Sequence, residues 1–261
     1  MGRAAAHARV VWGLGRRSVA SAFRRPQFLA PIIVFPSLLL AVNTGGAGRA
    51  TDLPGFPEVA GFLDFELAGA MVQSTMLAGV SGGVALAIDI EGGFIDRLLA
   101  APIARWTLLA GRLAGTWALG VLSAVWFLAV GLIFGAEIQG GLPGVLLILA
   151  VAPCAALAFG GVAAAIALYT GRASVVQSVF PLVFVILFMS SAFFPRDLLL
   201  EPASSIAAWN PLSLIAEGLR EPIVSGATLA ALGKGAGGVA IVAGIGIGLS
   251  AAGLRARLRA A

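Results

Sequence analysis

The stretch Asp89–Trp106, DIEGGFIDRLLAAPIARW, breaks an otherwise greasy sequence with three acids, two arginines, a Gly-Gly pair and a proline. On one side lies AGAMVQSTMLAGVSGGVALAI (68–88) and on the other LAGTWALGVLSAVWFLAVGLIF (113–134), neither with a single charge. Two uncharged runs of that length around a polar break decide the fold class.

Across all 261 residues, 59% are hydrophobic and 11% charged, with a mean hydropathy of +1.00. Soluble domains carry about 25% charged residues. A chain this size with so few charges cannot solvate its surface in water, so lipid is its solvent. With roughly 20 apolar residues per crossing, the sequence predicts six helical spans, at about 27–43, 67–88, 110–134, 145–169, 173–194 and 235–254. Pro31 and Pro36 bend the first, and Pro153 and Pro181 kink the fourth and fifth, where neighbouring helices satisfy the freed carbonyls.

Charge placement orients these spans. Arg3, Arg9, Arg16, Arg17, Arg24 and Arg25 precede the first; Arg97, Arg105 and Arg112 follow the second; Arg172 follows the fourth; Arg255, Arg257 and Arg259 follow the sixth. Those are 13 of the 17 basic residues, all on one side. The positive-inside rule puts that side and both termini in the cytoplasm, and an even number of spans agrees, since it places both termini on one side. The basic isoelectric point, about 10.9, therefore reflects juxtamembrane arginines facing anionic lipid and not nucleic acid.

Residues 1–26 read as an interfacial helix. Most arginines between positions 3 and 25 fall on one half of a helical wheel, with Val11, Trp12, Val19, Ala22 and Phe23 on the other. A cleaved signal peptide fits less well, because the basic region is too long and no small-x-small site follows. Cys154 is the single cysteine, and His7 has no second histidine or cysteine nearby, so neither a disulfide nor a metal site is expected.

Two loops depart from ordinary connectors. If residues 90–102 are helical, Phe94, Ile95, Leu98 and Leu99 form an apolar stripe opposite Asp96 and Arg97, and Pro102 ends the helix. That describes a docking helix across the cytoplasmic ends of spans two and three; patterning alone admits a solvated connector equally. In the external segment 195–232, charges and prolines recur too often for a crossing. It reads as two re-entrant half-helices, about 199–208 and 211–220, separated by Trp209-Asn210-Pro211. Asn210 before Pro211 starts the second, and Trp209 suits the interfacial belt.

The sequence carries no Walker loop, HExxH, CxxC or G-x-S-x-G motif, and no chain of acids or histidines within a span. No catalytic residue or cofactor site is expected on this chain. Uphill transport would draw its energy from a partner.

Two stretches bear a family resemblance. Phe62 to Gly115, with its acid, Gly-Gly and Asp-Arg-Leu followed by Pro102, is similar to the second span and cytoplasmic signature of type-2 ATP-binding-cassette exporter permeases, particularly the daunorubicin-resistance type of multidrug efflux permease. Val175 to Arg220 resembles the same family's fifth span and external re-entrant pair, with its Asn-Pro and terminal Arg. Where relatives commonly open the second span with Pro-Gly, this chain has Ala68-Gly69.

The resemblance implies one all-α transmembrane domain over 1–261: interfacial helix 1–26, spans one to five within 27–194, coupling helix 90–102, re-entrant pair 195–232 and span six at 235–254. It implies that Glu91, Phe94, Ile95, Asp96, Arg97, Leu98, Leu99 and Arg105 meet a separate nucleotide-binding ATPase subunit, present in two copies and holding ATP and magnesium. It further implies a second permease copy (a homodimer, or a related chain) in a bacterial inner membrane. Phe35, Met71, Met76, Phe180, Phe184 and Phe188, with Gln73 and Gln177, form the expected substrate pathway, which favours export of a hydrophobic or amphipathic cargo. Export of glycolipid, polysaccharide or teichoic-acid chains is the alternative within the family. A passive channel or secondary transporter without an ATPase is the alternative outside it.

Overall fold

The computed structural model describes residues 3–95 and 105–260, with side chains described for 7–95, 107, 111 and 113–255. All regular structure among them is helical. In order come α1 (Arg3–Phe23), α2 (Pro26–Ala47), α3 (Phe62–Glu91), α4 (Arg105–Ile133) and α5 (Gly141–Thr170). After them follow α6 (Ala173–Ser178), α7 (Phe180–Phe188), α8 (Ala203–Trp209), α9 (Pro211–Val224) and α10 (Leu229–Ala260). Among the described residues, five segments are long and apolar enough to cross a membrane: Pro26–Asp52, Phe62–Glu91, Leu113–Ile133, Gly141–Thr170 and Leu229–Arg255.

The expected fifth span, 173–194, differs. Its helical part is a shorter apolar segment, Ala173–Phe188, interrupted at Val179 between α6 and α7. Pro181 has no N–H to return to the carbonyl one turn earlier, so the ladder breaks there. Its 16 residues reach about 24 Å, short of a bilayer core of about 30 Å. At its far end, Asn210 and Ser213, at the start of α9, bond the backbone of Ile186, Met189 and Ser191.

α3 is the central helix: it packs against α2, α4, α5 and α9, and most of its length is buried. Without water to drive apolar faces together, such packing relies on small residues that let backbones approach. Gly79 and Gly83 of α3 lie against Phe159 and Ala163 of α5, too close for a Cβ. Gly111 and Gly115 of α4 seat Leu14 and Ser18 of α1 in the same way. Gly244 and Gly248 of α10 have the same spacing but face open space.

Contacts sort the loops into two ends. At one, Arg17 pairs with Asp89, Glu91 meets Ala173, and Gly253 packs on Leu168 and Tyr169. At the other, Asn43 bonds Glu66, the Glu137 N–H reaches Asp64, Gln139 pairs with Ile223, and Lys234 bridges Glu217 and Glu221. Asp64 also accepts from the Gly61 N–H (3.1 Å), holding the first turn of α3. The first end gathers arginine-rich segments and the second acidic ones, the division read from the sequence.

Candidate functional site

At the arginine-rich end, α3 runs through Ile90 and Glu91, so the helix expected over 90–102 does not begin at 90. Gly92 closes α3 by donating to the Ile88 carbonyl (3.0 Å), and Gly93 turns the chain with φ +66°, a backbone that glycine adopts without strain. The Gly-Gly pair is a helix stop followed by a corner. Phe94 and Ile95 leave that corner already fastened. The guanidinium carbon of Arg17 sits 3.8 Å from the Phe94 ring centre, and the same side chain lies 3.8 Å from the Asp89 carboxylate. Ile95 is buried among Val84, Ala87, Ile90, Ala167 and Val176, an apolar cluster built by α3, α5 and α6. Glu91 Oε1 accepts the Ala173 N–H (2.9 Å), tying the end of α3 to the start of α6.

Of the residues expected on this surface, Glu91, Phe94 and Ile95 are thus brought together. Asp96, Arg97, Leu98 and Leu99 lie outside the described residues, and Arg105 opens α4 with its side chain outside them. Sequence reading missed Arg17. It was one of six arginines on an amphipathic helix, and nothing local separates it from Arg16.

The acidic end is built around Asn210 and Arg220. Asn210 caps α9, its Oδ1 accepting the Leu212 N–H (3.0 Å), and Pro211 supplies the first helical φ. Its Nδ2 donates to the carbonyls of Ile186 (2.9 Å) and Met189 (3.0 Å), which the end of α7 leaves without helical partners. One side chain therefore starts one helix and finishes another. Arg220, buried, donates through Nη2 to the carbonyls of Ser191 (2.9 Å) and Ala192 (2.6 Å) and through Nε to that of Phe65 (3.2 Å). Its guanidinium carbon stacks 3.7 Å from the Phe65 ring centre. Burial pulls its pKa down to about 10, with Glu66 and Glu217 pulling it back up, so it is charged at neutral pH. Gly69 presses on the same backbone: a Cβ there would meet the Ala192 oxygen at 2.6 Å. Trp209 is 91% exposed. Where half-helices are expected at 199–208 and 211–220, the chain forms two short helices, Ala203–Trp209 and Pro211–Val224.

Glu66 went unread in the sequence because it fell just before the expected start of span two. It is fully buried, with Asn43 Nδ2 donating to its Oε1 at 2.7 Å. A carboxyl inside an apolar helix was the signal available.

The expected pathway residues separate into two sets. Met71, Gln73 and Met76 sit on α3 inside the chain's own core. Phe35, Phe180, Phe184, Phe188 and Gln177 lie on α2, α6 and α7 towards the outside. Phe184 packs edge-on to Phe35, and against Phe180, at centroid distances of 5.2 Å. The separation follows from the central position of α3, which other helices cover. The Gln73 amide has no hydrogen-bond partner among the described residues.

Helices of membrane length, joined at one end by an arginine-rich corner and closed at the other by a short helix pair, define a multi-pass membrane protein. The family model described as ABC-2 type transporter matches residues 9–224, most of the chain, and the protein belongs to that family. It is accordingly the permease subunit of an ATP-binding-cassette transporter, a transport subunit that is not itself catalytic, and the family implies an ATPase partner. A search of curated proteins found no match.

Proposed function

We propose that this permease exports a hydrophobic or amphipathic cargo, drug-like or lipid-like, in the manner of the daunorubicin-resistance type. In this reading the arginine-rich end and both termini face the cytoplasm of a bacterium. The chain crosses the inner membrane six times, α6–α7 being the fifth crossing and α8–α9 a re-entrant pair at the outer mouth. Two copies pair with two ATPase subunits, which hold the ATP and magnesium.

One observation carries the reading: the corner after α3 is anchored to three other helices. Arg17 ties it to α1, and the apolar seat of Ile95 ties it to α5 and α6. A partner gripping the segment from Phe94 through Leu99, with Glu91, Asp96, Arg97 and Arg105 as polar contacts, would move α1, α3, α5 and α6 as one body. Arg97 lies within this handle and Arg105 follows it in sequence. The aromatic surface of Phe35, Phe180, Phe184 and Phe188, partly or largely exposed on the single chain, supports an apolar cargo. Flexible aromatic and methionine surfaces accept varied ligands.

The test is the charge-reversed pair Asp96→Lys with Arg97→Glu, reconstituted with the ATPase subunit. ATP hydrolysis uncoupled from cargo flux, with membrane insertion intact, is the expected result. Flux equal to that of the unaltered complex refutes the handle.

A further inference from the structure

α1 leaves much of its apolar face uncovered. Val11, Trp12 and Val19 lie, with Ala114 and Trp117 of α4, along a groove of about 1040 Å³ that also includes Arg16. The floor is close-packed, since Gly15 meets Ala114 and Gly111 meets Leu14, so the groove is a surface channel and not a gap between separated helices. Its walls end in two large aromatic rings: Trp12 is 75% exposed and Trp117 48%. Spanning positions 7 to 20 of a helix, it is about 20 Å long.

Trp12 and Arg16 are one turn apart on the same wall, so a cation stands beside the apolar channel. Arg17, the next residue, is engaged by Asp89 and Phe94, whereas Arg16 makes no ion pair among the described residues. An apolar channel with indole rings at its rim and a cation at its edge complements one kind of molecule, an amphiphile with an acyl chain and a negative headgroup. Indole rings favour this depth, where one side is greasy and the other wet.

We propose that the α1–α4 groove binds one anionic phospholipid, an acyl chain lying between Trp12 and Trp117 and the phosphate on Arg16. The leaflet, cytoplasmic, follows from the orientation given above; the site itself does not depend on the identity of the exported cargo. The bound lipid would lie along the channel that α1 and α4 form together and so cover the exposed face of the helix that carries Arg17.

The experiment uses the full chain in phosphatidylcholine nanodiscs, with Trp106, Trp126 and Trp209 changed to Phe so that Trp12 and Trp117 report. Phosphatidylglycerol brominated on its acyl chains is expected to quench them at about fivefold lower mole fraction than brominated phosphatidylcholine, the worth of one arginine facing an anionic lipid. Arg16→Ala is expected to erase that difference. Equal quenching by both lipids, or a preference that survives Arg16→Ala, overturns the proposal. Native mass spectrometry of the unaltered chain and of Arg16→Ala, counting phosphatidylglycerol adducts, reads the same preference without the tryptophan replacements. Disulfide-linked dimers from Trp12→Cys in a Cys154→Ala background would show a second copy covering the groove, and would also overturn it. Transport assays do not enter this test, so its failure leaves the exporter reading standing.

Discussion

The guanidinium carbon of Arg17 lies 3.8 Å from the centre of the Phe94 ring, joining two residues 77 positions apart and fastening the N-terminal helix to the corner after α3. Neither residue is remarkable in isolation: one belongs to a basic amphipathic helix, the other to a polar loop. Their contact makes that loop part of the helical body.

Replacing Arg17 by Ala removes an exposed cation–π contact worth about 0.5–1 kcal/mol. If the corner transmits force from the ATPase, the reconstituted complex should move about two- to fivefold less cargo per ATP hydrolysed, with hydrolysis itself retained. An unchanged ratio of flux to hydrolysis would remove Arg17 from the coupling path.

Arg220→Ala takes a buried charge from three carbonyl oxygens and an aromatic face. The expected loss is about 3–5 kcal/mol, as for other broken buried charge interactions. Arg220→Lys should recover part of it, since an ammonium cannot reproduce the planar fork of the guanidinium. Thermal unfolding in detergent measures both, and a midpoint for Arg220→Ala equal to that of the unaltered chain contradicts the assignment.

Asn210 has two duties that two substitutions separate. Asn210→Asp keeps the oxygen that accepts from Leu212 but turns an acceptor towards the Ile186 and Met189 carbonyls. Asn210→Ala loses both functions, the cap alone costing about 1 kcal/mol. The Asp variant should be the less stable of the two, because a buried carboxylate would face carbonyl oxygens. If Asp proves the more stable, capping of α9 outweighs the closure of α7.

Gln73→Leu removes a fully buried amide that finds no partner among the described residues. A gain of about 1–3 kcal/mol is expected, the usual cost of an unsatisfied buried polar group. If Gln73 also serves the substrate pathway, flux should fall while the melting temperature rises. A lower melting temperature would mean that the amide is satisfied in the assembled transporter.

The glycine pairs offer a contrast. Gly111→Ala places a Cβ 2.5 Å from that of Leu14, and overpacking of this kind costs about 1–3 kcal/mol. Gly244→Ala meets nothing and should stabilise α10 by about 0.5–1 kcal/mol through helix propensity. A destabilised Gly244→Ala in the full complex, with the isolated chain unaffected, would identify that face as a contact with another subunit.

Composition and periodicity alone determined the solvent of this protein, the segments that carry its long helices, and the division of arginines from acids between the two ends. Those properties are sums over many residues, and lipid tolerates few departures from them. The Asn-Pro start of α9 was equally legible, because a cap acts on the next two residues. Tertiary structure alone decided that the helical segment expected to be a fifth span stops at Phe188, that Met71 and Gln73 are interior, and that Arg17, of six similar arginines, reaches Phe94. It also decided that Gly111 and Gly115 are packing sites while Gly244 and Gly248 face open space on the single chain. Each of these depends on which face of a helix another helix covers, and in a chain apolar on nearly every face the sequence leaves that choice to the fit of small and large side chains.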